Sequence, residues 1–219
     1  MALNFDLARH NMIEQQVRTS DVLNTNVLST LKAVHREEFV PKTHRKLAFT
    51  DMALPLKCDE HMNKPIIEGR ILDTIDIQKG EQVLEIGTGS GFLTACMAHL
   101  GAQVTSVEIH EELMLQARES LKQQGFNEVK LILADAISNW QPVSQYDVIV
   151  MTGALDKMPK KVFSWLKPTG RLFVVEGKSP AMQAKLYSKD ESGKWSSHTH
   201  FETDIPYLHC DINEDSFTF

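Results

Sequence analysis

Apolar positions recur along the chain with two different periods, and the switches between them mark out the elements. Residues 5–19 carry Leu7, Met12, Ile13 and Val17 at helical spacing, and residues 21–34 repeat the pattern with Val22, Leu23, Val27, Leu28, Leu31 and Val34. Two short helices are predicted there, with Asp21 as the N-cap of the second. Between residues 37 and 64 the periodicity lapses, and Pro41, Pro55 and then Pro65 punctuate the chain. Phe39, Leu47, Phe49, Leu54 and Leu56 in that stretch argue for a long but ordered connection. Helical spacing returns over 66–77, and Lys79-Gly80 turns the chain towards a strand.

From there strands and helices alternate. A strand with Val83, Leu84 and Ile86 is followed by predicted strands at 103–108, 129–133, 146–151 and 171–176, separated by helices at 93–100, 111–124 and 160–166. Helical connections between successive strands predict a mostly parallel sheet covered on both faces, a Rossmann-like doubly wound α/β fold. The style then changes: residues 183–188 and 194–205 flank a polar turn at 189–193 and read as an antiparallel C-terminal hairpin on the sheet edge. One domain is expected over 1–219, with N-terminal helices and the long connecting segment (1–80), a ligand-binding core (81–180) and a hairpin with its tail (181–219).

The most informative stretch is Val83-Leu84-Glu85-Ile86-Gly87-Thr88-Gly89-Ser90-Gly91-Phe92. A buried strand breaks into three alternating glycines and opens a helix, which brings backbone N–H groups and a partial positive charge close to a ligand. The pattern is Gly-x-Gly-x-Gly, with Phe92 where a dinucleotide fingerprint would carry its last glycine. Glu85 would repel a pyrophosphate and welcome a cation. S-adenosylmethionine, which joins an adenosine to a sulfonium and an amino group, fits that requirement.

Glu108 ends the second strand of the core and is placed to accept both ribose hydroxyls; a solvated acid beside Glu111 and Glu112 is the plainer reading. Asp135 is placed to accept from an adenine amino group or to cap the turn after it. Asp147 reads as a structural acid, while Thr152, Gly153 and Ala154 could floor the pocket. His198 and His200 share one strand face, which suits an exposed hairpin better than a metal, and no metal site is expected. The cysteines, Cys58, Cys96 and Cys210, are odd in number with no C-x-x-C pair, so free thiols are expected. A net charge of -6 offers no polycation for nucleic acid, and no apolar run reaches a membrane span. A cytoplasmic location follows as an expectation. Phe217 and Phe219 in the tail are expected to pack rather than hang free.

These residues sit in a longer likeness. Met12-Ile13-Glu14-Gln15-Gln16-Val17-Arg18, Arg36-Glu37-Glu38-Phe39-Val40-Pro41, Leu47-Ala48-Phe49-Thr50-Asp51, the glycine block, Ser106-Val107-Glu108 and residues 166–172 together resemble the protein-L-isoaspartate (D-aspartate) O-methyltransferase family. The resemblance implies a class I S-adenosylmethionine-dependent methyltransferase that methylates isoaspartyl carboxylates in protein repair. It implies cofactor contacts from Glu85, Gly87, Thr88, Gly89, Ser90, Gly91, Glu108, Ile109, Asp135 and Ala136. It also implies that 59–65 covers the cofactor and meets the acceptor through Glu60, His61 and Met62.

In that segment the family carries Gly-Gln-Thr-Ile-Ser-x-Pro, whereas this chain reads Asp59-Glu60-His61-Met62-Asn63-Lys64-Pro65. Asn63 therefore stands at the position of the family's catalytic serine. A carboxylate is already ionised at neutral pH, so transfer needs alignment and water exclusion, which an amide donor at Asn63 can serve. The expected reaction is in-line displacement on an isoaspartyl protein or peptide. Transfer to a small-molecule acceptor, or cofactor binding without turnover, are the alternatives.

Overall fold

The computed structural model describes residues 4–190 and 193–209; Cys210 and the tail with Phe217 and Phe219 lie outside that range. Helix α1 spans Phe5–Met12, capped by the Asn4 side chain accepting from the Leu7 N–H. Only this first part of the predicted 5–19 helix is α. It continues as a π-helical turn, Ile13–Val17, and a 3-10 turn, Arg18–Ser20, that closes at Asp21. Asp21 has φ of 65° and cannot begin the next helix, because an N-cap needs extended backbone. The cap of α2 (Thr25–Ala33) is instead Asn24, whose side chain accepts from Asn26 N–H.

The long connection is ordered. Two 3-10 turns, Arg36–Glu38 and Lys42–Leu47, lead into a two-stranded antiparallel ribbon, β1 (Leu54–Pro55) and β2 (His61–Met62). Helix α3 (Pro65–Ile75) starts on Pro65, whose missing N–H costs nothing in a first turn, and stops at Asp76 with φ of 41°.

The main sheet has strands β3 (Gln82–Ile86), β4 (Gln103–Glu108), β5 (Lys130–Leu133), β6 (Tyr146–Leu155), β7 (Leu166–Lys178), β8 (Ala181–Lys189) and β9 (Trp195–Thr203), in the order β5-β4-β3-β6-β7-β8-β9. The pairs from β5 to β7 are parallel, and β7-β8-β9 are antiparallel. Helices α4 (Phe92–His99) and α5 (Glu111–Gln123) connect β3 to β4 and β4 to β5, and the predicted 160–166 helix is a 3-10 turn, Lys160–Trp165. Strand β6 runs past Met151 to Leu155 through an irregularity between Val150 and Ala154. Alternate residues of β3 serve opposite faces: Val83 packs with the N-terminal helices, Leu84 and Ile86 with Trp165 and Leu172. The chain leaves β3 in one direction and returns beside it as β6, so the carboxyl ends of β3, β4 and β6 frame a crevice at the reversal. Among the described residues no helix is long and apolar enough to cross a membrane.

A buried cation fastens the N-terminal part to this crevice. Arg36, 0% exposed, donates to Ala48 O at 2.8 Å and to Asn63 O at 2.7 Å, and pairs with Glu68 of α3. Breaking such a pair from one side leaves an uncompensated buried charge, whereas replacing both partners by apolar groups does not. Arg36→Met should cost about 3–5 kcal/mol in urea denaturation, and adding Glu68→Leu should recover part of that loss.

Candidate functional site

At Gly87 the chain leaves β3 with φ of 93°, and a Cβ there would lie 2.3 Å from Thr152 Oγ1. Only glycine admits both the backbone and the neighbour. The Thr152 hydroxyl donates to the Gly87 and Ile86 carbonyls at 2.7 and 3.0 Å, stitching the turn to β6. Asn63 completes the link, its Nδ2 donating to Thr152 O at 2.9 Å. The segment before α3 is thereby held against the glycine turn.

A cavity opens between them. It is lined by Glu60, His61, Met62 and Asn63, by Glu85, Gly87, Thr88, Gly89 and Ser90, by Glu108 and Ile109, and by Asp135 and Ala136. Gly91 does not line it. As the residue before α4, with φ of 82°, it faces α5, where a Cβ would meet Ala117 at 3.2 Å, so the absence of a side chain serves close helix packing.

Glu85 lies on β3 and borders the cavity. It is 0% exposed, and its Oε2 accepts from Thr94 and, at 2.6 Å, from Ser106. Because Ser106 spends its proton on Glu85, Thr88 donates to Ser106 Oγ at 2.6 Å, tying the glycine loop to the acid beneath it. Burial pushes the Glu85 carboxyl up to about 8 against the pull of those hydroxyls. A cation above it would favour ionisation.

Glu108 is buried, accepting from Gly89 N–H at 2.9 Å and from His110 N–H at 3.1 Å. An ionised carboxylate offers about four acceptor directions, so ribose hydroxyls remain within its capacity. Asp135 Oδ1 caps the turn after β5, accepting from Ile137 and Ser138 N–H, each at 2.8 Å; the plainer alternative for it is realised, while the residue also borders the cavity. Asp147 accepts from Gln82 N–H and Lys167 Nζ. Partial burial works to raise its pKa, but those partners hold it below the usual carboxylate value. Its role is structural.

Thr152 and Gly153 floor the cavity, but Ala154 pairs instead with the C-terminal segment through Pro206 O and Leu208 N. That segment went unread in the sequence. Leu208 lies over Gly87 and Gly153, within 3.1 Å of where each would carry a Cβ, and Pro206 to His209 roof the cavity. No periodicity marks these residues; Gly153, too crowded for a side chain, is the one trace of them.

Two outcomes are expected. Gly87→Ala should weaken cofactor binding by at least about tenfold, ~1.4 kcal/mol, in calorimetry. Glu85 holds its proton more tightly folded than at its ordinary value of 4.5, so its contribution to stability is full below about pH 4.5 and lost as pH rises to about 8. Glu85→Gln should therefore flatten, without abolishing, the fall in stability across that range in denaturant titrations, because burial also raises Glu68 to about 8.

The model of the protein-L-isoaspartate(D-aspartate) O-methyltransferase family matches residues 8–207. A protein-L-isoaspartate O-methyltransferase of Opitutus terrae is 34% identical over 192 residues, 87% of this chain and 82% of its own length. One from Koribacter versatilis is 32% identical over 190 residues, covering 87% and 85%. A crystal structure from Plasmodium falciparum, assigned to the same activity and holding S-adenosyl-L-homocysteine, superposes with a TM-score of 0.81 over 95% of this chain and 99% of that one, at 16% identity. With the family model spanning nearly the whole chain and relatives above 30% identity over most of it, this chain belongs to the protein-L-isoaspartate (D-aspartate) O-methyltransferase family.

Proposed function

We propose that the protein transfers a methyl group from S-adenosylmethionine to the free α-carboxylate of isoaspartyl residues in proteins or peptides, with Asn63 orienting the acceptor. The observation that carries this reading is the Asn63–Thr152 hydrogen bond, which sets an amide at the meeting point of the acceptor segment and the glycine turn.

The residues present suit the cofactor. The glycine loop would receive its methionine portion, Glu108 its ribose and the Asp135–Ala136 turn its base. When bound, S-adenosylmethionine supplies a methyl group already activated on a sulfonium sulfur. The protein's task is then placement and water exclusion, because the acceptor carboxylate is ionised at neutral pH. The roof from Pro206 to His209 and the wall from Glu60 to Asn63 shield the cavity. Asn63 uses one amide hydrogen on Thr152 and retains a second for an acceptor oxygen. The carboxylate of Glu60, which would repel such an acceptor, is flanked by His110 Nε2 and His209 Nδ1, each 3.5 Å away. A reducing, cytoplasmic setting suits Cys58 and Cys96, both free thiols.

Asn63→Ala should lower kcat/KM for an isoaspartyl peptide at least about tenfold, ~1.4 kcal/mol of lost transition-state stabilisation, while cofactor affinity stays near that of the parent. Asn63→Ser should retain much of the rate. Equal rates for the parent and Asn63→Ala would remove Asn63 from this role.

A further inference from the structure

Glu60, His110 and His209 come from three distant parts of the chain and converge at the rim of the cavity. Glu60 sits on the turn joining β1 to β2, His110 caps α5 just beyond β4, and His209 follows the segment paired with the end of β6. Glu60 Oε1 lies 3.5 Å from His110 Nε2 and 3.5 Å from His209 Nδ1, and the three atoms all fall within 4.8 Å of one another. Donors about 2.0–2.1 Å from a tetrahedral zinc ion stand about 3.3 Å apart, so two of the three edges are nearly at ligation length. His110 Nε2 is buried and makes no hydrogen bond among the described residues. A histidine nitrogen shut away from water without a hydrogen-bond partner, aimed at a carboxylate oxygen and beside a second imidazole, is disposed as a ligand.

We propose that Glu60 Oε1, His110 Nε2 and His209 Nδ1 form a binding site for a divalent transition-metal ion of the zinc type, with solvent as the fourth ligand. Two imidazoles and one carboxylate are a donor set that such ions favour over magnesium or calcium, which take oxygen. The backbone beneath the site is fixed: the His110 backbone N–H donates to Glu108 at 3.1 Å, and Glu108 also accepts from the Gly89 N–H. It is open from above, since the His209 side chain is 57% exposed, so an ion can enter from solvent. The methyl acceptor is already ionised and needs no Lewis acid, so the ion's role is mechanical. It would join the wall at Glu60 to the roof at His209 across the cofactor cavity that both residues line.

The test is equilibrium dialysis of the full chain against Zn2+, with bound metal counted by elemental analysis, on the parent and on His110→Asn, His209→Asn, a His198→Asn/His200→Asn double variant and Cys58→Ser. Circular dichroism checks that each variant is folded. The site predicts one tightly bound ion per chain in the parent, the double variant and Cys58→Ser, and an affinity at least tenfold weaker in each of His110→Asn and His209→Asn. Co2+ in place of zinc should give visible absorption bands of a tetrahedral ion that both single variants lose. Absence of stoichiometric binding by the parent, retention of parental affinity in His110→Asn and His209→Asn, or loss confined to the His198/His200 variant or to Cys58→Ser would overturn the proposal. None of these readouts depends on methyl transfer.

Discussion

The turn at Gly87 is the constraint on which the site depends. The backbone must leave β3 left-handed there, the space a side chain would fill belongs to Thr152, and the Thr152 hydroxyl bonds back to the turn. The carbonyl of the same threonine accepts from Asn63. One residue of β6 thus fixes both the loop proposed to receive the cofactor and the amide proposed to meet the acceptor. Two-substrate chemistry limited by alignment gains most from such a short connection, because every intervening flexible residue would enlarge the volume over which the reacting groups wander.

Around this connection lies a layer of buried charge. Arg36 holds the carbonyl of Asn63 and pairs with Glu68, while Glu85 beneath the loop is satisfied on one oxygen by Thr94 and Ser106. Buried ionic groups are poor sources of net stability, since desolvation offsets most of their attraction. Their use here is positional. Glu85, raised to about 8 by burial, leaves the loop floor poorly charged at neutral pH until a cation arrives to favour its ionised form.

Much of this could be read from the chain. The order of strands and helices followed from alternation and period, and the strand–glycine–helix junction marked the ligand crevice because few other arrangements demand three spaced glycines there. Gly91 shows what spacing alone leaves out: its closeness to Ala117 of α5 is a packing constraint that the glycine pattern does not reveal. Asp21 has the chemistry of an N-cap, but its left-handed backbone ends one helix rather than starting another. What stayed hidden was assembled by tertiary contact. The roof at Pro206 to His209 has no period to detect, and Glu60, His110 and His209 are brought together only when β4, the β1–β2 turn and the C-terminal segment close over one cavity.

The cavity is proposed to methylate isoaspartyl carboxylates with Asn63 at the acceptor. The most direct test offers the parent protein labelled S-adenosylmethionine and two peptides of one sequence, containing either L-isoaspartate or L-aspartate at a single position. Base-labile label on the isoaspartyl peptide alone is the predicted result. Cofactor binding with no label on either peptide, or equal labelling of both, would contradict it.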